Sequence, residues 1–113
     1  MASTVLVTPL FKHVFFHENA TVSSDGAWID TYRYRNGAIE VSITSGAAVE
    51  FRGSMASDLP NVSDNGYRIG LPISGPAGVS GYSIEDLPTF FKIRLTSANF
   101  VTVRGIFRNE TTV

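Results

Sequence analysis

Apolar and polar residues alternate with a period of two over much of the chain, the pattern of half-buried β-strands. It is clearest from Pro88 to Arg108, PTFFKIRLTSANFVTVRGIFR. Phe91, Ile93 and Leu95 share one side, and Lys92, Arg94 and Thr96 share the other. After Ser97-Ala98-Asn99 the pattern resumes, with Val101, Val103 and Phe107 opposite Thr102 and Arg104. This predicts a C-terminal antiparallel hairpin with one face on a core and Lys92, Arg94 and Arg104 turned to water or a partner. Upstream, AWIDTYRYR alternates Trp28, Asp30, Tyr32 and Tyr34 with Ile29, Thr31, Arg33 and Arg35. Asn36-Gly37 follows, a strong two-residue hairpin signal because both residues accept positive φ. Ile39, Val41 and Ile43 then point inward, Ser45-Gly46 turns the chain, and Val49 and Phe51 point inward on the return. Residues 27–53 therefore read as three consecutive antiparallel strands.

Residues 54–88 are dominated by Gly, Pro, Ser, Asn and Asp. Structureless stretches beyond about 15 residues are uncommon in compact domains. Two short strands are expected to interrupt this one, near Gly66–Leu71 and Val79–Ile84, with PISGPAGVSG between them as an exposed projecting loop. At the N-terminus, Val5 and Val7 alternate with Thr4 and Thr8 up to Pro9, which ends a strand or confines it to a sheet edge. Leu10 to Phe16 is apolar and aromatic, and reads as a second strand, a helical turn or an arm that docks on a neighbouring subunit. Phe11, Phe15 and Phe16 would be costly exposed on a lone monomer. The expected organisation is residues 1–17 as an N-terminal strand or assembly arm, 18–108 as a single β-sandwich domain, and 109–113 as a short tail. Strands every 8–12 residues between Gly/Pro/Asn turns predict an all-β, antiparallel sandwich, jelly-roll or galactose-binding-like, with about 7–8 strands and little helix.

Composition narrows the function more than it names one. At 113 residues and 43% hydrophobic content, one ordinary core can be built. The net charge of −1 gives no basic surplus for phosphates, which argues against a nucleic-acid partner. With no cysteine there is no disulfide framework or thiolate metal site. The opening MASTVLVTPLFKH lacks a basic n-region and a long apolar run, so neither a signal peptide nor a membrane span is expected, and synthesis in a cytoplasm is. The N-x-S/T triplets at Asn19, Asn61 and Asn109 then carry little weight as glycosylation sites.

Candidate chemistry is thin. His13 and His17 sit at i, i+4, a helical zinc spacing, but FKHVFFHE lacks the Glu that a zincin motif requires. On a regular strand the two would share a face about 13 Å apart, too far for one metal. Glu40 and Glu50 face each other across the predicted 38–53 hairpin, but on its solvated side, where no carboxylate pKa is raised for glycosidase work. Asp58 and Asp64 fall short of a calcium loop's oxygen density, and no G-x-S-x-G elbow or phosphate cradle is present. The expectation is no enzyme, no cofactor and no metal. Trp28, Tyr32 and Tyr34 on one strand face are candidates to stack on sugar rings, to fill a subunit interface, or simply to cap the core. With Phe11, Phe15, Phe16, Arg33 and Arg35 they make up the candidate interface.

The order GAWIDTYRYR, then VEFRGS, a polar loop with Leu59-Pro60, and finally YSIEDLPTFFKIRLTS and Val101-Thr102-Val103 resembles small β-sandwich structural proteins of tailed bacteriophages. The likeness spans roughly residues 22–107, and the loop after Gly53-Ser54 lacks the compact Asp-Gly-x-x-Trp of many such domains. The resemblance implies a virion component assembled in the host cytoplasm, of capsid decoration (cement) or head- or tail-associated type. It implies partners among its own copies, as a homo-oligomer and possibly a trimer, and the major capsid protein or other virion subunits. A tail- or fibre-associated subunit and a carbohydrate-binding module remain the alternatives.

Overall fold

A computed structural model describes residues 4–7, 11–44, 46–74 and 77–108, with side chains from Lys12 onward. Among them are nine β-strands and no helix: β1 (Thr4–Val7), β2 (Phe11–Ala20), β3 (Ile29–Asp30), β4 (Asn36–Ile43), β5 (Ala48–Ser54), β6 (Tyr67–Ser74), β7 (Gly78–Glu85), β8 (Phe90–Ser97) and β9 (Val101–Arg108). They form two antiparallel sheets: sheet A, ordered β1-β2-β9-β4-β7, and sheet B, ordered β3-β8-β5-β6. Eight strands in this order are a jelly roll, with β1 added to one edge. The fold class is the all-β antiparallel sandwich expected from the sequence, and β1 and the two-residue β3 lift the strand number to nine.

Alternation explains which side chains fill the space between the sheets. Ile39, Val41 and Ile43 of β4, Val101, Val103 and Phe107 of β9, and Phe91, Ile93 and Leu95 of β8 are all buried. At the centre Phe91 of sheet B contacts Phe16 and Phe107 of sheet A, with ring centroids 5.6 and 5.7 Å apart and edge-on. Phe51 continues the cluster towards Tyr82 at 5.5 Å. Edge-to-face pairs of this kind add about 1 kcal/mol each beyond area burial.

The inward faces agree with the sequence pattern, but the strand partners do not. β8 and β9 are not a hairpin: β8 pairs with β3 and β5, and β9 with β2 and β4. The chain passes from one sheet to the other through Ala98–Phe100, with Phe100 at φ 51°. Alternation shows which residues face a core, and a strand meets the same core from either layer. The three strands expected over 27–53 likewise alternate between sheets, β3 in B, β4 in A and β5 in B. Asn36-Gly37 opens β4 instead of turning the chain; the turn lies earlier, where Tyr34 N–H donates to Thr31 O at 3.0 Å. Glu40 and Glu50 therefore lie on different sheets. Most of the expected projecting loop is strand, since Pro72–Ser74 end β6 and Gly78–Gly81 begin β7. Its tip at residues 75–76, Ser45, Pro9 and the tail 109–113 lie outside the described residues.

β2 is interior to sheet A, between β1 and β9. A bulge between Phe15 and His17 breaks its alternation, so that Phe16 and His17 are both buried although adjacent.

Candidate interaction site

In an antiparallel ladder directly paired residues share a face. On the outside of sheet A the register therefore makes two rows, His13–Ile106–Ala38–Ser83 and Phe15–Arg104–Glu40–Gly81. Ala38, Gly81 and Ser83 are small, and the face sinks there into an open trough of about 630 Å³. Phe15, His13, Ile106 and Arg104 line its other side. Arg104 Nε donates to Glu40 Oε1 at 2.6 Å, and its guanidinium lies 5.9 Å from the centre of the Phe15 ring. The trough thus offers a cation, a carboxylate, an imidazole and hydroxyls around an apolar floor, a set suited to recognition by hydrogen bonding.

The outside of sheet B is closed differently. Trp28, just before β3, and Lys92, on β8, both point outward, yet they are only 7% and 0% exposed because residues 61–66 cover them. Lys92 Nζ donates to Val62 O at 2.8 Å and Asp64 O at 2.9 Å, and lies 4.8 Å from the Trp28 ring centre. Trp28 Nε1 donates to Asn61 O at 3.0 Å and Asp64 O at 3.1 Å. Gly66 lets the loop rejoin the sheet: its φ is +51°, and a Cβ there would lie 2.1 Å from Gly53 O. Burial lowers the Lys92 pKa, an effect opposed by the Asp25 and Asp64 charges. Beside it Glu50 accepts from Arg52 Nη2 at 2.8 Å and Arg94 Nη1 at 3.2 Å, while Arg94 Nε donates to Asp25 at 3.1 Å. The Arg52 hydrogen bond leads the effects that hold the Glu50 carboxyl below its ordinary pKa.

The candidate residues do not converge on one surface. Phe15 lines the trough, Phe16 is in the core, and Phe11 belongs to β2 with its side chain outside the described residues. Tyr32 and Arg33 form an exposed pair in the turn after β3, Arg33 Nε donating to the Tyr32 hydroxyl at 2.9 Å. Tyr34 packs partly buried against Phe107, at 6.4 Å between centroids, and Arg35 is exposed. The shared face expected for Trp28, Tyr32 and Tyr34 fails because the strand stops at Asp30. Trp28 cannot serve as a sugar platform while its ring is covered and its N–H engaged. Lys92, expected in solvent, is buried because the polar loop folds back over it.

The histidines separate as well. His13 is exposed at the trough, while His17, beyond the bulge, is 2% exposed and bonds Ile93 O through Nε2 at 2.8 Å. The carbonyl accepts, so Nε2 carries the proton; Nδ1 is buried with no partner. Burial lowers the His17 pKa, opposed by the Ile93 hydrogen bond. The imidazoles lie on opposite faces and cannot share a metal. Among the described residues no cluster of three or more His, Asp or Glu side chains could hold one. The outward residues Arg104, Glu40 and Ile106 were missed as trough residues; their alternation was visible, but their adjacency needs the β2-β9-β4-β7 order.

The two-sheet topology places the chain among jelly-roll domains. No known family matches its sequence, and no curated protein does. Among solved structures it is similar to the SPBc2 prophage-derived protein YomS, with TM-score 0.61 and 20% identity over 92% of this chain and 98% of that one. A match covering nearly all of both chains shows that the fold is shared. Two structures of the capsular polysaccharide assembling protein CapF from Staphylococcus aureus align at TM-scores of 0.29 and 0.30, with 11% and 10% identity. They cover 99% and 100% of this chain but only 32% and 30% of CapF, and a likeness that low carries no argument.

Proposed function

We propose that this chain is a non-enzymatic structural protein of a bacteriophage particle, of capsid decoration (cement) type, which stabilises a shell through subunit contacts. The observation that carries this reading is the jelly roll shared end to end with a prophage-derived protein of similar extent. The phage-like wording of YSIEDLPTFFKIRLTS supports it. So does the surface: Met55, Leu59 and Val62 of the 55–66 loop and Tyr67 and Leu71 of β6 are all exposed. Exposed apolar side chains suit burial against another subunit. Mixing the purified chain with particles that lack it is the test. Saturation at a fixed number of copies per shell, with a higher disruption temperature, is expected; no binding would overturn the reading.

The trough on sheet A favours a second reading, a carbohydrate-binding module. There Arg104, Glu40 and His13, rather than Trp28, would contact the sugar. Loss of glycan-array binding in Arg104→Ala with an unchanged melting temperature would support it.

A further inference from the structure

Of the four edge strands, three carry devices that discourage pairing with another chain. β1 has four described residues and β3 two. β6 is broken by a register shift against β5, with Gly70 at φ +71° and Pro72, which has no N–H to donate. Short strands, bulges and prolines are the usual means of blunting an edge. β7 has none of them. Its eight residues, GVSGYSIE, pair with β4 in unbroken register. It contains no Pro, Lys or Arg, and its one charge, Glu85, is at its end. Alternate residues of an edge strand direct N–H and C=O away from their only neighbour. Among the described residues, no loop or turn backbone hydrogen bond reaches those of β7. Val79 on β7 and Leu71 on β6, the matching edge of the other sheet, are 68% and 80% exposed.

We propose that β7 is a self-association edge, pairing antiparallel with β7 of a second copy about a two-fold axis through Gly81 and joining two A sheets into one of ten strands. The geometry restricts the register. With the axis perpendicular to the sheet, paired residues must lie on the same face, so the axis passes through a residue matched with itself. An axis at Gly81 sets Gly81 against Gly81, Val79 against Ser83 and Ser80 against Tyr82. An axis at Tyr82 would press together two rings that already pack on Phe51. At Gly81 the two Glu85 carboxylates lie about 27 Å apart along the pair, at about 3.4 Å per residue, so no like charges meet. The troughs of the two copies then adjoin at Gly81. This interface stands independently of the virion reading, since a monomer can also decorate a shell.

The absence of cysteine makes the test specific. An ideal Cβ on Gly81 meets no atom within 4 Å, so Gly81→Cys is expected to fold. Directly opposed antiparallel residues have Cα atoms about 4.5–5.5 Å apart, within disulfide reach. The wild-type chain should elute at twice its 12.3 kDa mass, and Val79→Lys should elute as a monomer with unchanged far-UV circular dichroism. Oxidised Gly81→Cys should run as a covalent dimer, whereas Val22→Cys, at an exposed site away from β7, should not. A wild-type monomer across the concentration series, a trimer, a Val79→Lys dimer, or equal cross-linking of the two cysteine variants would overturn the proposal.

Discussion

Replacing Lys92 with Met tests whether a buried ammonium holds the 61–66 segment on sheet B. Met keeps much of the apolar stem and removes the charge. Val62 O loses its donor, while Asp64 O keeps the Trp28 indole N–H. An acceptor left unsatisfied costs about 1–3 kcal/mol, at the low end here because Val62 is exposed. Loss of the contact with the Trp28 ring adds about 1 kcal/mol. Relief of the charge's desolvation returns part of this, leaving a net loss of about 1 kcal/mol. For a domain of this size that lowers Tm by about 5 °C. Urea unfolding followed by the single Trp, with amide exchange at residues 61–66, measures both stability and the segment. Burial depresses the folded Lys92 pKa, so between that value and the ordinary lysine value the unfolded chain binds more protons and stability rises with pH. Lys92→Met should lose this alkaline rise. A change below about 0.5 kcal/mol with unaltered exchange would refute the reasoning.

His17→Gln should flatten the acid limb of the stability curve. The folded His17 pKa lies below its ordinary value, so wild-type stability falls as pH drops from the ordinary value to the folded one, by at most about 1.4 kcal/mol per pH unit; urea melts across that range check it. Gly66→Ala should cost about 2 kcal/mol or more and raise Trp28 fluorescence quenching by acrylamide, since the left-handed φ and the Gly53 carbonyl both oppose a Cβ. Arg104→Ala should cost less than about 1 kcal/mol by thermal melting, because both partners of its ion pair with Glu40 are about half exposed.

Strand positions and inward faces were legible over β4, β5, β8 and β9, where each residue's neighbours at i±2 have the same character. Layer assignment was not legible, because alternation is identical whether successive strands pair or cross the sandwich. Asn36-Gly37 illustrates the limit. Its turn signal is local, but a Cβ at Gly37 would lie 2.6 Å from Phe107 Cδ1, and that contact belongs to the β4–β9 ladder. The bulge that buries Phe16 and His17 together left no sequence mark beyond an apolar run. Lys92 read as a solvated charge because the carbonyls that receive it come from residues about 30 positions away. At the trough Phe15 was picked out as an aromatic, whereas Arg104 and Glu40 needed the sheet order to bring them together.

The most direct measurement for the virion reading is the copy number of this chain in density-gradient-purified particles from the strain that encodes it, by quantitative mass spectrometry. A structural role predicts a fixed ratio to the major shell protein from one preparation to the next. Particles without the chain, and the chain recovered only in the soluble lysate, would contradict it.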